Sequence, residues 1–158
     1  MSDRWIFVTA FLTVVLIVAS AFAIPQLFAF QLLLSSIYLV ISLLVFFGED
    51  RFSYMLGIVT PPLWFVLDIL LGGFFSDFRV LWNSIAMKPI PASETPLNAL
   101  AVLLEAVLLI LCVRAWRKQV SEKFLGKTFG ICLLIALAYI VILAVWYLRA
   151  FSGAGGMA

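Results

Sequence analysis

From Trp5 to Phe47 the chain carries no charged side chain. As one helix this stretch would be about 65 Å long at 1.5 Å per residue, roughly twice the apolar thickness of a bilayer. No water-soluble fold of this size has an interior that could receive it. A membrane can, provided the stretch crosses twice. The chain must then turn near the middle, and Pro25 with Gln26 are the residues there that favour a break. Two spans follow, at about 5–24 and 26–47. Ala21-Phe22-Ala23 has the A-x-A form of a signal-peptide cleavage site, so removal of the first span competes with its retention, and the sequence favours retention.

The rest of the chain repeats the pattern. Hydrophobic residues make up 66% of the 158, and charged ones 11%, against about 25% charged in a soluble domain. Further apolar stretches at about 54–75, 97–116 and 127–149 complete an all-α, polytopic membrane bundle of about five spans, folded as a single domain over 1–158. The polar connections are short. Gly48-Glu49-Asp50-Arg51 is a turn. The loop over 76–96 is the longest. In it Phe78, Leu81, Trp82 and Ile85 recur at i, i+3, i+4, i+7, which predicts a short amphipathic helix in the interface. Lys88-Pro89-Ile90-Pro91 then forces extended chain. Thr95-Pro96 supplies an N-cap with proline after it. Residues 117–126 form a basic loop, and 152–158 a flexible tail.

The distribution of Lys and Arg orients the bundle. With five spans, Arg4, Arg51, Arg114, Arg117, Lys118, Lys123 and Lys127 fall on one side, and Arg79, Lys88 and Arg149 on the other. This predicts a cytoplasmic N-terminus and an outside C-terminus, in a bacterial inner membrane. Arg114, Arg117, Lys118, Lys123 and Lys127 surround one loop, where they would meet anionic lipid headgroups.

Composition also excludes. Histidine is absent, which removes the usual haem, zinc and copper ligand and the commonest general base. Cys112 and Cys132 have no metal-ligand spacing; they read as small packing residues at one level of the bundle, with a disulfide as the lesser alternative. A net charge of +2 gives no ground for a nucleic-acid partner. No cofactor or metal is expected.

Two ionisable residues lie inside spans, where they are costly and face the bundle interior. Asp68 sits seven residues before the expected outer end of the third span at Phe75. Glu105 sits eight after the start of the fourth at Leu97. Both carboxyls are therefore expected about 10–12 Å below the outer edge. Asn98, Glu105 and Cys112 share one face of the fourth span, and Cys132, Tyr139 and Trp146 one face of the fifth. Folded as a hairpin about Glu122, the two stripes match in register. That predicts contact between these faces and a hydrogen bond from Tyr139 to Glu105. Gln31, Ser35, Tyr38 and Ser42 in the second span, with Thr9, Thr13 and Ser20 in the first, read as interhelical packing groups.

In the third span Pro61 and Pro62 remove the hydrogen bonds to the carbonyls of Gly57 and Ile58, which predicts a kink. A kinked helix with Gly72-Gly73 and a buried acid suits a discontinuous transporter helix as well as a structural one.

No catalytic motif is present. The sequence alone favours an accessory or structural subunit of a larger membrane complex, with the bilayer and other membrane subunits as partners. The rival is a proton- or cation-coupled transport component using Asp68 and Glu105, which could not both ionise cheaply if they met in a low dielectric. An intramembrane hydrolase using the same pair is the remote alternative.

Overall fold

The computed structural model describes residues 2–23, 27–90, 95–121 and 123–154. Among them every regular element is an α-helix: α1 (Ser2–Ala23), α2 (Phe28–Phe46), α3 (Asp50–Leu70), α4 (Gly73–Ile85), α5 (Leu97–Gln119) and α6 (Lys127–Ala154). Five of the six are long and apolar enough to cross a membrane, and α4, with 13 residues, is not. The expected break at Pro25-Gln26 and the hairpin centre at Glu122 lie outside the described residues, as do Pro91 and the last four residues of the expected tail.

The long helices alternate in direction. Asp3, Tyr54 and Gln119, from the start of α1, the start of α3 and the end of α5, meet at one end of the bundle. Ser20, Gln31 and Asn98, from the end of α1, the start of α2 and the start of α5, meet at the other. The ring of Phe30 packs on that of Tyr147, 5.5 Å away, which places the late part of α6 at this second end too.

Helix α3 is the hub. It packs against α2, α4, α5 and α6, while α1 fills the space between α2 and α5. Its inner residues show why. Tyr54, Gly57, Pro61, Trp64 and Asp68 recur at helical spacing and are all buried. Gly57 lets α5 come close, because a Cβ there would collide with Cys112 Sγ. Cys132 approaches α3 from α6, with its Sγ 3.9 Å from the Phe52 carbonyl. The two thiols thus face α3 from different helices and are free.

This arrangement overturns the expected hairpin. Helices α5 and α6 make no close approach to one another among the described residues. Each leans on α3 instead, and Trp146, assigned to the inner stripe, is half exposed. Heptad spacing defines a face but does not choose its partner, and here α3 offers the better one to both.

Two boundaries also move. The third span begins at Asp50 and ends at Leu70, not at 54 and 75. Gly72 stops it by taking φ +78°, the left-handed conformation that glycine adopts without strain, with its N–H bonded to the Ile69 carbonyl. The chain then folds back as α4, which starts at once at Gly73 and is longer than the expected interfacial helix. The Phe65 and Phe74 rings hold it to α3 at 6.4 Å. Of its expected apolar stripe, Trp82 and Ile85 are exposed, and Val80 is the residue that it buries. Helix α6 continues to Ala154, so the first residues assigned to a flexible tail are helical. At α5 the cap position is Pro96 rather than the expected Thr95, and the helix starts at Leu97; Thr95 still serves this end, its Oγ1 accepting from the Leu97 N–H at 3.3 Å.

Candidate cation site

Three helices bring a carboxyl to one cavity. Helix α3 supplies Asp68, one turn beyond Trp64. Helix α5 supplies Glu105, and α4 folds back to supply Asp77. The cavity is about 160 Å³ in volume, and Gln31 and Asn98 line it as well. Among the described residues that line it there is no Lys or Arg.

Asp68 owes its position to the turn after it. Its Oδ1 sits so close to Gly73 that a Cβ at that residue would collide with it. The carboxyl therefore lies at the N-terminus of α4, where unsatisfied amide groups and the helix dipole favour negative charge. Its second oxygen, Oδ2, is buried without a hydrogen-bond partner.

Glu105 is 1% exposed, and its Oε2 is also without a partner. Tyr38, fully buried on α2, stands beside this carboxyl and within electrostatic reach of Tyr139. The Tyr38 hydroxyl approaches the Glu105 carboxyl within hydrogen-bonding reach without meeting the geometry of a formed bond. The expected bond from Tyr139 to Glu105 is absent: the Tyr139 hydroxyl lies 2.9 Å from the carbonyls of both Leu33 and Leu34. Because α6 packs on α3 and α2 rather than on α5, Tyr139 meets the α2 backbone first.

The rim of the cavity is clipped by a short polar chain. Ser20 donates to Asn98 Oδ1 at 2.5 Å, and Gln31 Nε2 donates to Ser20 Oγ at 3.0 Å. The Gln31 Oε1 is left buried and unpaired. Leaving a buried acceptor unmade costs about 1–3 kcal/mol, so three such atoms on one cavity are a substantial burden for the fold to carry.

The other candidates are placed apart from this cavity. Pro61 is buried and Pro62 exposed, and α3 runs across both as one helix from Asp50 to Leu70. Arg114, Arg117, Lys118, Lys123 and Lys127 are all exposed around the α5–α6 connection. Beneath them the rings of Trp116, Phe124 and Phe129 pack in sequence at 6.3 Å and 5.9 Å.

Asp77 and Tyr38 are the site residues that the sequence does not single out. Asp77 falls in what reads as a surface loop; its signal is Gly72-Gly73, which ends α3 early and turns the next helix inward. Tyr38 sits in a stripe indistinguishable from packing. Among the described residues no three Cys, Asp or Glu side chains converge closely enough to hold a metal ion. Comparison with known protein families, with curated proteins and with solved structures yields no significant match.

Proposed function

We propose that the chain is a membrane component that takes up a proton or a cation in the cavity between Asp68, Asp77 and Glu105, as part of a coupled transport process. The observation that supports this is the mismatch around the cavity: Gln31, Asp68 and Glu105 each leave a buried acceptor atom without a partner, and no Lys or Arg stands among the described lining residues. Ionisable groups at such depth are expensive and mark ion or proton pathways when they are not paired. On this reading the positive-inside count supports a cytoplasmic N-terminus in a bacterial inner membrane, and the cavity would then lie in the outer half of that membrane. The exposed basic groups from Arg114 to Lys127 then face anionic lipid on the inner surface.

The test is flux. In proteoliposomes holding the purified chain, an imposed gradient should drive proton or cation movement. Glu105→Gln or Asp68→Asn should reduce it at least tenfold while the protein stays folded. Wild-type vesicles no leakier than empty ones would sink the proposal.

A second reading, an accessory subunit of a larger membrane complex, is supported by α6. Only 22% of its spanning window is buried, against 61% for α3. Leu134, Val141, Ile142 and Leu148 present an apolar face that suits a neighbouring subunit or lipid. Gentle purification from the native membrane decides: a stoichiometric companion lost on replacing two of these residues by Ser supports the subunit reading, and isolation alone removes it.

A further inference from the structure

Granting that the cavity holds a cation, we infer that its ligand is a small organic cation bearing N–H donors, of the guanidinium or alkylammonium class, rather than a bare metal ion. This inference rests on the proposed function and names the ligand of the same site.

The unpaired atoms state what is missing. Gln31 Oε1, Asp68 Oδ2 and Glu105 Oε2 belong to side chains only 3%, 8% and 1% exposed, and none has a partner. An amide oxygen and carboxylate oxygens accept hydrogen bonds. A ligand that satisfies several of them together must carry several donors, as a guanidinium does in a flat fork and an ammonium in a tripod.

Size and wall chemistry point the same way. A dry cavity of about 150 Å³ accommodates benzene. The cavity here, about 160 Å³, thus has room for about six heavy atoms. A dehydrated inorganic ion would leave most of it empty. Such an ion would also need several oxygen ligands converging at about 2–2.6 Å, whereas the three acids are spread over three helices and form no such group. The remaining wall is aromatic: Trp64 packs on Phe30 with ring centres 6.2 Å apart, and Phe30 on Tyr147 at 5.5 Å, and all three line the cavity. Aromatic faces attract organic cations and stack with planar guanidinium. Acceptors and rings lining one cavity fit an ion that is charged, planar or tripodal, and partly apolar.

The experiment is a calorimetric titration of the full chain in detergent with methylguanidinium and propylammonium, set beside the neutral N-methylurea and beside sodium chloride at equal concentration. Saturable binding of either organic cation, at least tenfold tighter than N-methylurea or sodium, is expected. Glu105→Gln and Asp77→Asn should each weaken it at least tenfold, and Trp64→Leu severalfold, while Arg117→Gln in the basic loop leaves it unchanged. Asp77→Asn serves where Glu105→Gln does not fold. Equal binding of N-methylurea or of sodium overturns the inference, as does binding that survives both acid replacements. Flux of protons or inorganic cations that depends on Glu105, without organic-cation binding, overturns it while the proposed function stands. Organic-cation binding without any flux supports it and removes coupled transport.

Discussion

Glu105 offers the sharpest test of whether the cavity is retained for function or for stability. If its carboxyl were structural, replacing it by an apolar side chain of similar volume should be costly. The structure argues the reverse. Glu105 Oε2 is buried with no partner, and the neighbouring Tyr38 hydroxyl is fully buried with none. Removing an unpaired buried polar atom relieves a burden of about 1–3 kcal/mol in a water-referenced fold. In a membrane the helices remain in lipid when they separate, and measured side-chain contributions shrink to about 0.6 kcal/mol on average. Glu105→Met is therefore expected to raise stability by about 0.5–2 kcal/mol while abolishing flux and cation binding. Reversible unfolding by a denaturing detergent in mixed micelles reads the change directly. A loss of more than about 1 kcal/mol would show that the carboxyl has a partner in the fold and refute the reasoning.

The same experiment extends to a cycle with Tyr38→Phe. A formed, charge-assisted hydrogen bond between Tyr38 and Glu105 would contribute a coupling of about 1.5–3 kcal/mol. The hydroxyl stands within hydrogen-bonding approach of the carboxyl but does not meet the geometry of a formed bond, so the coupling should fall below that range, and Tyr38→Phe alone should be close to neutral. Binding of the ligand should raise the coupling, because an ordered cation fixes the carboxyl that Tyr38 faces.

Other positions give independent tests. Gly57→Ala places a Cβ against Cys112 Sγ and should destabilise by about 1–3 kcal/mol; adding Cys112→Ala should restore most of the loss in the same unfolding assay. Tyr139→Phe removes the hydroxyl that reaches the Leu33 and Leu34 carbonyls, with an expected cost of about 1 kcal/mol and faster amide hydrogen exchange confined largely to α6. Gly72→Ala forces a side chain to φ +78° at a cost of about 1–2 kcal/mol, and should weaken cation binding by displacing α4 and Asp77. Met87 already occupies the left-handed region at φ 53° where α4 closes, its N–H bonded to the Ser84 carbonyl and the Lys88 N–H to that of Asn83, so Met87→Gly should be neutral or stabilising by up to about 1 kcal/mol, read as an unchanged or raised thermal unfolding midpoint.

The membrane character and the five long helices were legible because the signal is additive: each span is a long, mostly apolar run, and a stretch twice the membrane thickness must count as two. Asp68 and Glu105 were legible as inward-facing for the same reason, since a carboxyl among twenty apolar residues has one acceptable direction. Their meeting did not follow from the expected depths: α3 ends at Leu70, two residues past Asp68, while Glu105 stands eight past the start of α5, and yet both line one cavity. The partner of each face was not legible. Asn98, Glu105 and Cys112 define a stripe, and so do Cys132, Tyr139 and Trp146, but nothing in either says that Gly57 will draw Cys112 to α3 and Phe52 will take Cys132. Sequential neighbours are a reasonable default, and a small residue on a third helix overrode it. Asp77 was hidden by a boundary error: with the third span drawn to Phe75, Gly72-Gly73 weakens a helix, whereas in the structure it turns one helix into two and converts a loop acid into a cavity acid.

The functional reading draws its force from a difference between the two ends of the same bundle. At the end that gathers Asp3, Tyr54 and Gln119, the buried tyrosine hydroxyl meets the Asp3 carboxylate and the Gln119 amide, and Gln119 Nε2 reaches Asp3 Oδ1 at 3.4 Å. Three helix ends are tied there, and none of those polar atoms is left buried and unpaired. At the other end Ser20, Gln31 and Asn98 make a comparable tie, yet Gln31 Oε1, Asp68 Oδ2 and Glu105 Oε2 beside it go unmatched. A chain that pairs its polar groups at one end has the means to pair them at both. Leaving several acceptors unpaired beside a cavity that aromatic rings also line is what a fold does when the missing donors arrive from outside.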